Sequence, residues 1–139
     1  MHLYQFGAIM KMQIKHLTVI LAMVLIGCGG VMPIKNVDNA PVTASSTRKV
    51  ELATVRQAIV RAGATLGWKM EDDGPNKLIA TLNIRTHKAV VEIPYSEKNY
   101  SIKYLSSVNL HEQSGNIHNN YNGWIANLQR DIDIHLADR

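Results

Sequence analysis

The chain holds one cysteine, Cys28, at the end of the stretch VLIGC. A lone thiol can act as a nucleophile, a metal ligand or a point of attachment, but it cannot close an internal disulfide. Left free in an oxidising compartment it is a liability. Metal binding needs partners at helical or loop spacing. The four histidines that follow Cys28 are His87, His111, His118 and His135, and they form no HxH, HxxH or i,i+4 pair. His111 and His118 share a loop and a helix start with Glu112, a grouping expected of solvated loop histidines. Ser106 and Ser107, with His111 and Asp131, supply the residue types of a hydrolytic triad, yet no nucleophile-elbow glycines surround them. A glycine-rich phosphate loop is also absent. The expectation is a chain that is not an enzyme and uses no metal and no cofactor.

The position of Cys28 says more than its chemistry. Lys11 and Lys15 precede an apolar run from Leu17 to Ile26, which ends at the small residue Gly27. This is the layout of a secretory signal. The run has about half of the ~20 residues that a membrane-spanning helix needs. The alternatives are a buried core helix or a short membrane anchor. Leu25-Ile26-Gly27-Cys28 resembles the lipobox of bacterial lipoproteins: apolar at −3, small at −1, then the cysteine. The resemblance implies cleavage before Cys28, diacylglycerol on its sulfur and often a further acyl chain on the new amino group. Two or more chains, at roughly 0.8 kcal/mol per buried methylene, hold a protein stably on a bilayer. Gly29 stands where an Asp would imply inner-membrane retention in lipoproteins of the enteric type, so the expected location is the outer membrane. Residues 1–27 are therefore expected to be a lipoprotein signal peptide. The segment MHLYQFGAI places apolar residues ahead of the positive region, so the true start is expected at Met10 or Met12.

The net charge of +4 is unevenly distributed. From Cys28 onward there are 13 basic and 11 acidic residues, and no basic cluster or basic helix face appears. That near balance argues against a nucleic-acid partner.

Residues 28–47 carry much Gly, Pro, Asn, Ser and Thr and no apolar period. They read as a lipidated N-terminus and a flexible tether with a coil span on the order of 25 Å. Docking of MPIKNV as an edge strand is the alternative. Residues 48–139 read as one domain. Thr54 and Gln57 make a capping-box pattern, and Val55, Ile59, Ala62 and Leu66 follow at helical spacing. Gly67 sits where a helix ends cheaply. WKM, KLIATLNIR, AVVEIPY and YSIKYL then alternate apolar and polar residues, separated by DDGPN, Thr86-His87 and SEKN. Ser106–Asn116 is polar and reads as a loop. A terminal helix carries Tyr121, Trp124, Ile125, Leu128, Ile132 and Leu136 on one face, capped by Asn119 or Asn120.

Pairing across the two turns puts Ile84 opposite Ala89, Leu82 opposite Val91, Ala80 opposite Ile93, and Tyr95 opposite Tyr100. Both hairpins then direct the same apolar set to one face. Glu92 falls opposite Lys103, a plausible cross-strand ion pair. Pro94 lacks a donor and demands an edge or a bulge. The expected fold class is α+β, a four-stranded antiparallel meander with two helices on one face in the order α-β-β-β-β-α. On the other face Val90 falls opposite both Asn83 and Leu105, with Ile79 further along. Ile79, Val90 and Leu105, mixed with Arg85, Glu92 and Lys103, form a candidate interaction face with a charged rim. The bland alternative is scattered surface aliphatics.

Gly67-Trp68 and the stretch IHNNYNGWIANLQRDI, Ile117 to Ile132, also resemble a family of small uncharacterised proteobacterial lipoproteins. Its members share a lipobox, GW after the first helix and a terminal helix of the form IHxxYNxWIxNLxxDI. The resemblance covers most of the chain beyond Cys28 and brings no established activity with it. The element order is similar to helix-grip modules of outer-membrane assembly lipoproteins, a likeness of fold alone. The function expected is that of a lipid-anchored periplasmic or outer-membrane binding or accessory protein. It would hold the membrane through the lipid on Cys28 and contact other envelope proteins. The alternative is a small-ligand or glycan binder with an aromatic-lined cleft between sheet and terminal helix, built from Tyr95, Tyr100, Tyr104 and Tyr121.

Overall fold

In chain order the elements are β1 (Val31–Pro33), β2 (Val37–Pro41), α1 (Leu52–Thr65), β3 (Lys69–Asp72), β4 (Lys77–Ile84), β5 (His87–Pro94), β6 (Asn99–Val108), β7 (Asn116–His118) and α2 (Asn119–Ala137). They are seen in a computed structural model that describes residues 30–43 and 50–138. The expected signal, the start site, Cys28 and the end of the tether lie outside the described residues.

Alternation builds the main sheet. Strands β3 to β6 form an antiparallel meander, and β2 joins it beside β6, so the order is β2-β6-β5-β4-β3. Leu78, Ala80 and Leu82 of β4, Ala89, Val91 and Ile93 of β5, and Tyr100 and Ile102 of β6 are all buried on one face. Both helices pack on that face with Val55, Ala58, Ile59 and Ala62 of α1 and Tyr121, Ile125, Leu128, Ile132 and Leu136 of α2. This is the α+β solution for a sheet with one apolar face.

The β4–β5 register differs from the expected one by two residues. Leu82 faces Ala89, Ala80 faces Val91, and Ile84 faces His87. The connection is a tight turn through Arg85 and Thr86, with Arg85 in the left-handed region at φ 55°. Asn109 Nδ2 donates to the Thr86 carbonyl at 2.7 Å. His87 Nδ1 lies 2.8 Å from the Asn109 carbonyl. These contacts favour the shorter turn over the wider loop. A two-residue slip keeps every side chain on its face, so the core set is unchanged. Tyr95 does face Tyr100, and Val91 faces Tyr104. Pro94 lies at the end of a central strand. The β5–β6 ladder stops at Glu92 and resumes only at Tyr95, where the missing donor does no harm.

Four expectations are corrected. The sheet has five strands rather than four, and the segment read as tether supplies two strands. Val37 and Ala40 are buried on the helix side of the sheet, and hydrogen bonds compensate for the irregular backbone around them. Asn36 Oδ1 accepts from the Tyr104 amide at 2.8 Å, and the Asn39 amide donates to Ser101 Oγ at 3.0 Å. β1 pairs with β7, a strand inside the region read as loop and helix start. Third, α1 starts two residues before Thr54. Glu51 occupies the N-cap position without a side-chain cap, so Thr54 and Gln57 form no capping box. Fourth, α2 is capped by His118, whose Nδ1 accepts from the Asn120 amide at 3.2 Å, rather than by an asparagine.

The end of α1 matches its sequence signal. Gly67 has φ +82°. The Gly67 amide donates to the Ala64 carbonyl at 3.2 Å and the Trp68 amide to the Gly63 carbonyl at 2.8 Å, a Schellman closure. The following residue, Trp68, turns into the core.

Candidate interaction face

Because both described helices cover one face of the sheet, the alternate residues of each strand are left uncovered by either of them. Ile79, Thr81 and Asn83 of β4 share this face with Lys88, Val90 and Glu92 of β5 and with Lys103 of β6. All three candidate residues lie on it. Ile79 and Val90 are half-buried by their neighbours, whereas Leu105 is 46 % exposed. The expected pairings of Val90 are corrected: it faces Thr81 and Ser106, not Asn83 and Leu105. The first change follows from the two-residue shift of the β4–β5 register, the second from a bulge in β6. Tyr104 pairs with Val91 and Ser106 with Val90, which leaves Leu105 as the extra, unpaired residue. A bulge re-aims side chains and adds twist, and here Leu105 stays on the open face while Ser106 takes its place opposite Val90. Val108, 51 % exposed and opposite Lys88, extends the apolar strip. Simple alternation does not reveal Val108, because the bulge inverts the pattern of β6 beyond Tyr104.

Charges rim the strip. Ile79 faces Glu71 on one side and Glu92 on the other. Lys77 Nζ lies 2.9 Å from Asp73 and 3.8 Å from Glu92. The bond to Asp73 raises its pKa, with Glu92 adding a smaller push. Glu92 is opposite Lys103 in register, as expected, but its ion contact is to Lys77. Lys69 and Glu71 pair at 3.0 Å on the edge strand β3. At that edge Arg56 of α1 holds Asp72 through two hydrogen bonds of 3.0 and 2.7 Å. This bidentate contact depresses the Asp72 pKa and raises that of Arg56. Charged side chains on β3, and Pro41 with the left-handed Asn39 on β2, make both edges poor templates for strand addition.

Three of the residues considered for other chemistry have structural partners. His118 caps a helix and His87 braces a turn, while Ser107 Oγ lies 2.9 Å from the Tyr104 hydroxyl. Among the described residues no group of three or more His, Cys, Asp or Glu is placed to hold a metal ion. Three of the four tyrosines fill space instead of lining a cleft. Tyr95, Tyr100 and Tyr121 are buried, and Tyr104 packs edge-on against Tyr121 with ring centroids 5.5 Å apart. Tyr100 donates to Asp133 Oδ1 at 2.6 Å, whereas the buried Tyr121 hydroxyl has no partner among the described residues. Burial pushes both phenols far above the ordinary value, and the bond to Asp133 reinforces the shift at Tyr100. Trp124, expected in the core, is half-buried. It closes with Trp68 a crevice of about 60 Å³, far below the ~300–1,000 Å³ of a typical small-molecule site. A groove of about 490 Å³ along the outside of α2 is lined by Gln129, Arg130, Asp133 and Ile134 among others, without an aromatic side chain.

Fold and face together define the class: an α+β domain whose antiparallel sheet is covered by helices on one side and, among the described residues, by no helix on the other. No protein-family model matches this chain, and neither a curated protein nor a solved structure matches it.

Proposed function

We propose that this chain is a lipid-anchored, non-enzymatic accessory protein of the bacterial envelope, which docks another envelope protein on the open face of its sheet. The observation that supports it best is the strip of Ile79, Val90, Leu105 and Val108, apolar and partly exposed, inside a rim of paired charges. That is the composition of a modest interface: apolar centre, polar surround. The anchoring part rests on Leu25-Ile26-Gly27-Cys28, and the outer-membrane location on Gly29. No helix among the described residues is long and apolar enough to cross a membrane. The likeness to helix-grip modules and to small proteobacterial lipoproteins belongs to the same reading.

Two measurements test it. Palmitate label should enter the protein in cells and vanish in Cys28→Ala, and label that persists in the variant would refute the anchor. Cross-linking in intact cells should capture an envelope partner with the native chain. Leu105→Glu should reduce that capture while leaving the melting temperature unchanged, and undiminished capture would move the docking surface elsewhere.

A further inference from the structure

We infer that the lipid holds the domain directly against the bilayer, with Val31 and Met32 at the headgroup interface, instead of on a tether clear of it. The inference rests on the proposed lipidation of Cys28 and adds to it where the folded chain begins. Gly30 is already part of the fold, since its carbonyl accepts from the Asn119 amide at 3.2 Å. Val31, Met32 and Pro33 then pair with His118, Ile117 and Asn116. Beyond them the Ile34 amide donates to the Gly115 carbonyl at 2.9 Å. Asn122 clamps the same segment from α2. Its Nδ2 donates to the Pro33 carbonyl and its Oδ1 accepts from the Lys35 amide, each at 2.9 Å. Two peptide units separate Cys28 from Gly30, which limits their Cα atoms to about 7 Å apart. A tether free to span ~25 Å therefore does not exist between the lipidated residue and the fold.

That geometry selects one surface. Val31 is 55 % and Met32 49 % exposed, and both are among the large apolar side chains left most open by the fold. As successive strand residues they flank the ribbon on its two sides. Among the described residues β1 pairs only with β7; on its other edge Pro33 has no amide hydrogen and its carbonyl is held by Asn122, which leaves the Val31 amide and carbonyl without a strand partner. Hydrocarbon penalises such an edge heavily, whereas the hydrated headgroup zone satisfies it. The occupant is thus the interfacial layer of the bilayer rather than its core. The His118 amide donates to the Leu110 carbonyl, which places the ribbon at the Val108 end of β6. The ten residues of β6 put the Ser96–Asn99 turn on the order of 30 Å away, at the far end of the sheet.

The test uses the full-length lipoprotein purified from membranes. Met32→Cys introduces a second, reactive thiol for an environment-sensitive fluorophore. Lys98→Cys, exposed in the distant turn, is the control. Each labelled protein is reconstituted into phosphatidylethanolamine–phosphatidylglycerol vesicles carrying a spin-labelled lipid near the headgroups. Quenching should be several-fold stronger at position 32 than at position 98. Equal quenching at the two positions, weak or strong, overturns the placement while leaving lipidation intact. A mature protein whose mass carries no acyl chain overturns the anchor and the placement together. Val31→Cys serves as the second labelling site, and its quenching must agree with that at position 32 if Met32→Cys impairs folding.

Discussion

The two faces of the main sheet are made from the same strands, often from adjacent residues, yet they face different demands. On the covered face Ala80, Ala89, Val91, Ile93 and Ile102 are fully sequestered beneath two helices. On the open face Ile79 and Val90 keep partial contact with solvent, and Leu105 and Val108 are about half exposed. The covered face is a packing problem in which volume matters to one methylene. The open face is a surface, where an aliphatic residue contributes little to folding and is free to serve an encounter. Similar residue types thus carry stability on one side and are available for binding on the other.

The sharpest way to break this contrast is to truncate one isoleucine on each face. Ile93→Ala, beneath the helices, should destabilise the domain by about 2–5 kcal/mol. Ile79→Ala, between Glu71 and Glu92 on the open face, should cost clearly less. Urea titration of both variants gives the comparison, and equal losses would mean that something covers the open face.

Two buried phenols sharpen the same contrast within the core. Tyr100→Phe removes a hydrogen bond to a carboxylate and should cost about 1.5–3 kcal/mol. Tyr121→Phe removes a hydroxyl without a partner among the described residues and should be neutral or slightly stabilising. Both phenols titrate higher in the folded protein than in the unfolded chain. Their contribution is therefore complete below the unfolded value of about pH 10 and falls as the pH rises above it. Urea midpoints measured from about pH 8 to 11 should fall more steeply for the native chain than for Tyr100→Phe. Parallel curves would assign the alkaline loss to other groups.

The smallest expected effect belongs to the open face. Leu105→Glu sits at an unpaired bulge position, so it should shift stability by no more than about 0.5 kcal/mol. Its consequence should appear in partner capture alone. A large loss in thermal melting would show that the bulge residue is structural.

Which residues share a face is legible in the sequence itself. Leu78, Ala80 and Leu82, and Ala89, Val91 and Ile93, are grouped by alternation, and a two-residue change of register leaves that grouping intact. The stripes of α1 and α2 and the closure at Gly67 are legible for the same reason. Part of the candidate face is legible too: Ile79, Val90 and Leu105 lie on the face where alternation puts them, while Val108 joins them through a bulge that no periodicity announces. Trp124 fits the helical stripe but lies toward the edge of the packed face, where it is only half covered.

Local sequence thus determined the direction of most side chains, because the periods of strand and helix are short and set by backbone geometry. Tertiary structure alone decided where the segment before α1 belongs. Val31–Pro33 is three residues long, and Val37–Pro41 is polar in part and interrupted by Asn39, so no period marks them as strands. They become strands because β7 and β6 offer partners about 60 to 90 residues away, and because Asn36 and Asn122 satisfy backbone groups that pairing leaves over. Backbone hydrogen bonds carry no side-chain signature, and partners that distant leave no trace in a local window.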